Sequence, residues 1–252
     1  MKKHILYIFI CLLSLSALAN SASQKEFEKG NGLFQKGAYV KAIEAYEQIL
    51  KQGEESSALY FNLGNAYYKT DNIAAAILNY ERAKRLNPSD EDIDFNLKLS
   101  NLRVTDKIEP LPEVFFKRWW ANMSSMLSTD GWAKVSIGFL FISLFFFIVY
   151  TISVSVAIKK LFFFGGFLLI FTGAGSYFLG KFSMDLHYSN QEAILFSPSV
   201  YIKSSPDERS TDLFILHEGT KVKILDTVGE WKKIRIDNGN LGWVKANEMK
   251  EI

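Results

Sequence analysis

Few residues in this chain are equipped for covalent chemistry. Its single cysteine, Cys11, falls inside an N-terminal apolar run, and of three histidines His4 lies there too, leaving His187 and His217 far apart in sequence. A chain cleaved after that run has no thiol, so disulfides, CxxC redox chemistry, thiolate metal sites and Cys nucleophiles are excluded. The carboxylates are spread over charged helical faces and turns. The expectation is therefore no catalytic residue, no metal site and no cofactor. What remains is recognition chemistry. Asn31 and Asn65, each directly after a glycine and 34 residues apart, offer amides able to hold a peptide backbone from both sides. Tyr201, Trp231 and Trp243 offer aromatic surface near the C-terminus, with Tyr201 and Trp243 as the candidate surface pair and the two Trp rings divided between core or rim packing and a ligand platform.

The elements that position these amides are legible from a repeat. Laying 23–56 over 57–90 gives identity at Ser23/Ser57, Gly30/Gly64, Asn31/Asn65, Ala42/Ala76, Ile43/Ile77, Tyr46/Tyr80 and Glu47/Glu81, and Pro88 closes the second copy. This 34-residue period, with small residues at helix crossings and aromatics between them, resembles the tetratricopeptide (TPR) pattern. Gly30, Gly64, Ala42 and Ala76 let paired helices approach, and Tyr46 and Tyr80 are expected to fill the space towards the next repeat. The spacing predicts helices at 24–36, 39–51, 57–69 and 73–86. Asn87-Pro88-Ser89-Asp90 then stops one helix and caps another at 91–104, completing a TPR domain over 23–104. The resemblance implies a groove lined by the inner helices, with Asn31 and Asn65 on a bound peptide. The same amides would alternatively serve only the neighbouring helices. Where TPR proteins that clamp a C-terminal carboxylate carry basic residues, this chain has Phe27, Phe95 and Leu99.

Charge is distributed unevenly. Residues 1–19 carry two Lys and no acid; 20–110 carry 12 basic and 14 acidic groups, 111–183 carry 6 and 2, and 184–252 carry 9 and 11. Two near-neutral polar ends thus flank an apolar middle that holds most of the Phe. A single soluble core is excluded, and neither end has the basic excess a nucleic-acid partner needs.

Lys2-Lys3, an apolar run from Ile5 to Ala19 and Ala17-Leu18-Ala19 form the three parts of a secretory signal peptide over 1–19, with an uncleaved anchor as the alternative. Two uncharged stretches, 135–158 and 161–180, are long enough for transmembrane helices. Lys159-Lys160 separates them, which predicts a tight hairpin with the Lys pair at the cytoplasmic surface and both polar ends in the periplasm. Gly166, Gly173 and Gly180 recur at sevens on the second span, a smooth stripe for packing on the first span or on a partner's helix. Ahead of the spans, 105–134 reads as a Pro-containing linker (Thr105 to Glu113) and a Trp-rich segment. The Phe115-Phe116-Lys117-Arg118-Trp119-Trp120 run suits a headgroup-level helix, or else a plain extension of the first span.

The last segment alternates apolar and polar residues between turns such as Asp237-Asn238-Gly239-Asn240. In order, Ser199 to Pro206, Leu216 to Thr220, Glu230-Trp231 and Gly242-Trp243-Val244 resemble the bacterial SH3-like domain over 188–252. The resemblance implies a small closed all-β barrel that binds peptides or cell-wall components without catalysis. The two folded ends are expected to share no core. The class is thus a multidomain membrane protein: all-α TPR repeats, a two-helix transmembrane hairpin and an SH3-like barrel. The succession of modules, with Ser128-Thr129-Asp130-Gly131-Trp132 before the hairpin, resembles the BatE family of the Bacteroides-type aerotolerance (Bat) operon. That resemblance implies an inner-membrane accessory whose partners are other Bat membrane or periplasmic proteins, in tolerance of oxygen or envelope stress; the apolar spans add the lipid bilayer as a partner, and the alternative is a cell-wall tether that binds peptidoglycan through the SH3-like domain.

Overall fold

The structure, a computed structural model, describes residues 23–112, 115–188 and 191–252. The expected leader, with Cys11 and His4, lies outside them, as does the side chain of His187. Five helices open the described chain: α1 over 23–35, α2 (Tyr39–Lys51), α3 (Ser57–Lys69), α4 (Ile73–Leu86) and α5 (Glu91–Asn101). Short polar side chains start three of them. Ser56 accepts from Leu59 N, Asn72 from Ala75 N, and Asp90 from Asp92 N and Ile93 N, each satisfying donors that the first helical turn leaves free. Ala42 and Ala76 are fully buried at the crossings. A Cβ on Gly30 would stand 2.5 Å from Tyr46, and one on Gly64 2.7 Å from Tyr80. Tyr46 and Tyr80 thus lie over the glycine of their own repeat, because only a missing side chain leaves room for the ring.

Beyond the repeats, α6 (Phe115–Ser124) is a separate helix. A turn over 125–128 breaks it from α7 (Thr129–Ile152), so the Trp-rich run is not an extension of the first span. Ser128 accepts from Gly131 N at 3.1 Å and starts α7, which gives the Ser-Thr-Asp-Gly-Trp run a structural role. The partner helix α8 (Val156–Tyr188) returns antiparallel. Its pairing with α7 is fixed by Ser136 Oγ donating to Gly173 O at 2.9 Å and Ser143 Oγ to Gly166 O at 3.0 Å. Gly165, Gly166, Gly173 and Gly180 face Phe146, Phe147, Phe139 and Trp132. The glycine stripe is therefore spent on packing within the hairpin. The turn is Ser153 to Ser155, so Lys159-Lys160 lies in the first turn of α8 and not between the helices. Ser153 adopts an extended conformation that ends α7 six residues before the Lys pair. Both helices are long and apolar enough to cross a membrane.

Seven antiparallel strands complete the chain: β1 (Glu192–Leu195), β2 (Ser199–Lys203), β3 (Asp212–His217), β4 (Lys221–Val228), β5 (Trp231–Arg235), β6 (Leu241–Lys245) and β7 (Met249–Glu251), in spatial order β3-β2-β6-β5-β4-β1-β7. Alternation puts Val200 and Ile202, Val222 and Ile224, and Val244 into one cluster with Ala193, Leu195, Leu216, Ile234, Ile236 and Met249. The sheet wraps this cluster, but β3 and β7 are its edges, so the hydrogen-bonded ladder is not the closed ring expected from sequence.

The two ends share a core, contrary to expectation. β1 is buried on both faces. Ala193 and Leu195 point into the sheet's cluster, whereas Ile194, with 0% exposure, joins Ile77, Ala83, Ile93, Leu97 and Val104 of the helical unit. Around this apolar contact, Lys221 Nζ bridges Glu81 at 3.0 Å and Glu192 at 2.8 Å. Arg82 donates to Glu251 O at 2.7 Å, and Arg85 to Ile252 O. The Pro-containing segment is no free linker either. Ile108 packs on the sheet cluster, Leu111 N donates to Asp237 O at 3.1 Å, and Asp106 binds the β3–β4 turn. A four-residue apolar run such as Ala193 to Phe196 fits a strand covered on both faces, and the second cover is the outer helix α4.

Candidate functional site

The inner helices α1, α3 and α5 present a ladder of asparagine amides. Asn31 Oδ1 accepts from Tyr46 Oη at 2.8 Å and from Asn62 Nδ2 at 2.9 Å. One repeat on, Asn65 Oδ1 accepts from Tyr80 Oη at 2.8 Å and from Asn96 Nδ2 at 2.8 Å. Each carbonyl end therefore anchors a tyrosine of the outer helix and an asparagine of the next inner helix. Both tyrosines are buried, and burial pushes Tyr46 up to about 12 and raises Tyr80 as well, so each hydroxyl keeps its proton and donates. With each hydroxyl donating, it is the amide oxygen that faces the tyrosine.

The other end of each amide is free. Neither Asn31 Nδ2 nor Asn65 Nδ2 has an acceptor among the described residues, and both residues, half-buried, line an open cavity of about 320 Å³ with Phe34, Gln35, Tyr46 and Asn62. Two donors held at a fixed repeat interval can each take a backbone carbonyl of an extended chain. Sequence reasoning offered two roles for Asn31 and Asn65; the oxygens serve the neighbouring helices, and the nitrogens are left without an acceptor among the described residues, in side chains that line the cavity. Asn62 and Asn96, which complete the ladder, were missed, although they too stand 34 residues apart. The positions that would clamp a carboxylate are apolar and open, with Phe95 65% and Leu99 38% exposed.

On the sheet, Tyr201 is 55% exposed. It lies two residues before Lys203, whose register partner on β6 is Trp243, so Tyr201 and Trp243 share the outer face. Trp231 and Trp243 are half-buried and neither joins the core cluster. Each ring lies beneath an ammonium: Lys233 Nζ is 6.0 Å from the centroid of Trp243, and Lys245 Nζ 5.8 Å from that of Trp231. Core packing is thus not the role of either Trp.

His217 is no free surface residue. It closes β3 at the joint, where Asp106 accepts from His217 N at 2.7 Å, Thr220 Oγ1 at 2.6 Å and His217 Nδ1 at 2.8 Å. Because the carboxylate can only accept, Nδ1 carries the proton. Burial would raise the Asp106 pKa, but the hydrogen bonds from Thr220 and His217 outweigh it and hold the group below the usual carboxylate range. Burial likewise opposes the charge on Lys221, and Glu81 with Glu192 outweighs that too, leaving its pKa raised. No cluster of three or more His, Cys, Asp or Glu among the described residues is placed to hold a metal ion.

Comparison with known proteins agrees with this division of the chain. Residues 57–90 match the tetratricopeptide repeat family and residues 198–250 the bacterial SH3 domain family. TPR and bacterial SH3 domains are therefore both present, with two long apolar helices between them, and both suggest interaction with protein or peptidoglycan. The outer membrane protein assembly factor BamD of Vibrio cholerae is 29% identical over 98 residues, a match spanning 38% of this chain and 41% of that protein.

Proposed function

We propose that this chain is a non-catalytic adaptor of a bacterial inner membrane, anchored by α7 and α8 and binding partner proteins through periplasmic TPR and SH3-like domains. The observation that carries the reading is the pair of free amide donors, Asn31 Nδ2 and Asn65 Nδ2, held at one repeat interval over an open cavity. The membrane assignment is supported by the antiparallel hairpin, whose outward surface is apolar along both helices. The joint between β1 and α4 supports both folded ends lying on one side of the bilayer, as an exported N-terminus and a hairpin require. The order of modules supports a place as an accessory of a Bat-type aerotolerance or envelope-stress system, with other Bat proteins as partners.

The substitution Asn31→Asp with Asn65→Asp tests the groove cleanly. An aspartate keeps the oxygen that accepts from Tyr46 or Tyr80 and replaces the outward NH2 by a second acceptor. Partner capture by in-cell crosslinking of the full-length protein should fall while its melting is retained; undiminished capture would remove the groove from the mechanism. Lys25→Cys and Asn247→Cys, each probed in intact spheroplasts with an impermeant thiol reagent, should both react. Protection of either until lysis would overturn the topology.

A second reading, a tether that binds peptidoglycan, is favoured by the open face bearing Tyr201, Trp231 and Trp243. Sedimentation of the intact protein with purified sacculi, and its loss in Tyr201→Ala with Trp243→Ala, separates this reading from the first.

A further inference from the structure

An aromatic and cationic surface between the head and the hairpin is used by neither the groove nor the sheet. In α6, Phe115, Phe116 and Trp119 are 81%, 66% and 47% exposed, while Trp120 turns inward and meets Phe182 of α8 edge-on at 6.2 Å. Trp132 Nε1 donates to Ser124 O at 2.8 Å, which ties the end of α6 to the first turn of α7. The same Trp132 packs over Gly180 of α8. Thus α6 is held against the head-side end of the hairpin, and its outward aromatics continue the apolar surface of α7 and α8.

Cations collect at that end. Arg118 on α6, Lys134 on α7 and Lys181 on α8 are all exposed, and none has an ion-pair partner among the described residues. With Lys117 they make four Lys or Arg beside the head, against two, Lys159 and Lys160, beside the hairpin turn. An exported head would put the richer end outside, against the usual bias of Lys and Arg towards the cytoplasm. These cations therefore have a use other than setting orientation.

We propose that α6 is an in-plane foot on the bilayer that holds anionic phospholipid headgroups, its aromatic side chains at the acyl boundary and Arg118, Lys134 and Lys181 on the phosphates. Aromatic rings beside basic residues are the composition that partitions to this depth. A guanidinium grips phosphate by two parallel hydrogen bonds and ammonium groups act as point charges. The inference rests on the hairpin spanning the membrane with the head exported, as read above.

The test uses the full-length protein reconstituted into phosphatidylcholine vesicles with and without phosphatidylglycerol, floated, re-extracted and weighed with its retained lipids by native mass spectrometry. The wild type should retain phosphatidylglycerol over phosphatidylcholine, and R118Q/K134Q/K181Q should lose that preference by about fivefold per cation removed. Trp119→Phe should remove a share of the tryptophan emission that headgroup-proximal brominated lipid quenches. Should the triple variant lose helix content, R118Q alone is read in its place. Equal retention of both lipids, or a preference unchanged by the substitutions, would overturn the proposal while leaving the anchor intact. A protein that fails to float would overturn both.

Discussion

The two halves of the helical unit hold themselves together differently. Around α1, α2 and α3, the cluster of Ala42, Tyr46, Ile49, Leu59, Leu63 and Ala66 is closed by residues no further away than the neighbouring repeat. Around α4 and α5, the cluster of Ile77, Ala83, Ile93, Leu97 and Val104 is completed by Ile194, a strand residue beyond the whole membrane hairpin. A solenoid needs a cover on its last repeat, since each repeat leaves one face open for the next. Here no third full repeat follows, and the β-sheet covers part of that face. The lesson is that a repeat array with a short count can borrow its cap from a domain of another fold class, and the two are then expected to unfold as one body.

The comparison breaks most readily at Ile194. Ile194→Ala removes a fully buried side chain from the joint and should cost about 2–5 kcal/mol. Thermal melting of the full-length protein in detergent, followed separately at helix and sheet signals, should show both transitions fall together. If only the sheet signal moved, the joint would be a contact between independent domains.

Gly219 sharpens the same point from the other side. It sits at φ +84°, where a side chain is strained, and a Cβ there would stand 3.0 Å from Val104 Cγ2 and 3.5 Å from Ile77 Cδ1. Gly219→Ala should destabilise the joint by about 1–3 kcal/mol. Gly229→Ala is its control, since that glycine also has positive φ but nothing lies within 4 Å of its Cβ position. A loss no greater at Gly219 than at Gly229 would deny the helical unit any steric part in it.

Acid should loosen the joint next. Because the folded pKa of Asp106 is held below that of the unfolded chain, its contribution is full above the unfolded value and is lost as pH falls through the folded one. Asp106→Asn should cost about 1 kcal/mol at neutral pH and flatten this part of the acid dependence, read from melts at stepped pH below 5. An unchanged acid profile would assign the sensitivity to other carboxylates.

The hairpin supplies the smallest effect. Ser143→Ala deletes the buried hydroxyl that donates to Gly166 O and should cost about 0.6 kcal/mol, typical of interhelical hydrogen bonds in a membrane. Unfolding of the hairpin in mixed micelles measures it. A loss as large as at Ile194 would mean that α7 and α8 are held by polar contacts rather than by the glycine-on-Phe packing.

Local order in this chain is written in the sequence. The 34-residue period placed four TPR helices to within a residue, because the caps Ser56, Asn72 and Asp90 act within one turn and Gly30 under Tyr46, like Gly64 under Tyr80, acts within one helix pair. Two uncharged stretches identified the long apolar helices, and strand alternation identified the sheet, since these periodicities each report one buried face. Turn placement was less legible. Lys159-Lys160 marks where charge must leave an apolar core, and not where the backbone turns at Ser153 to Ser155. The candidate site was half visible: Asn31 and Asn65 repeat by themselves, but which end of each amide is free depends on Tyr46, Asn62, Tyr80 and Asn96 reaching the oxygen. The joint was not visible at all. Ile194 reads equally as the buried face of a lone strand or as a contact with a distant helix, and Asp106 and His217 lie 111 residues apart, with the hairpin between them. Periodicity records that a side chain must be covered. Only the tertiary structure, by bringing α4 against β1, decided what covers it.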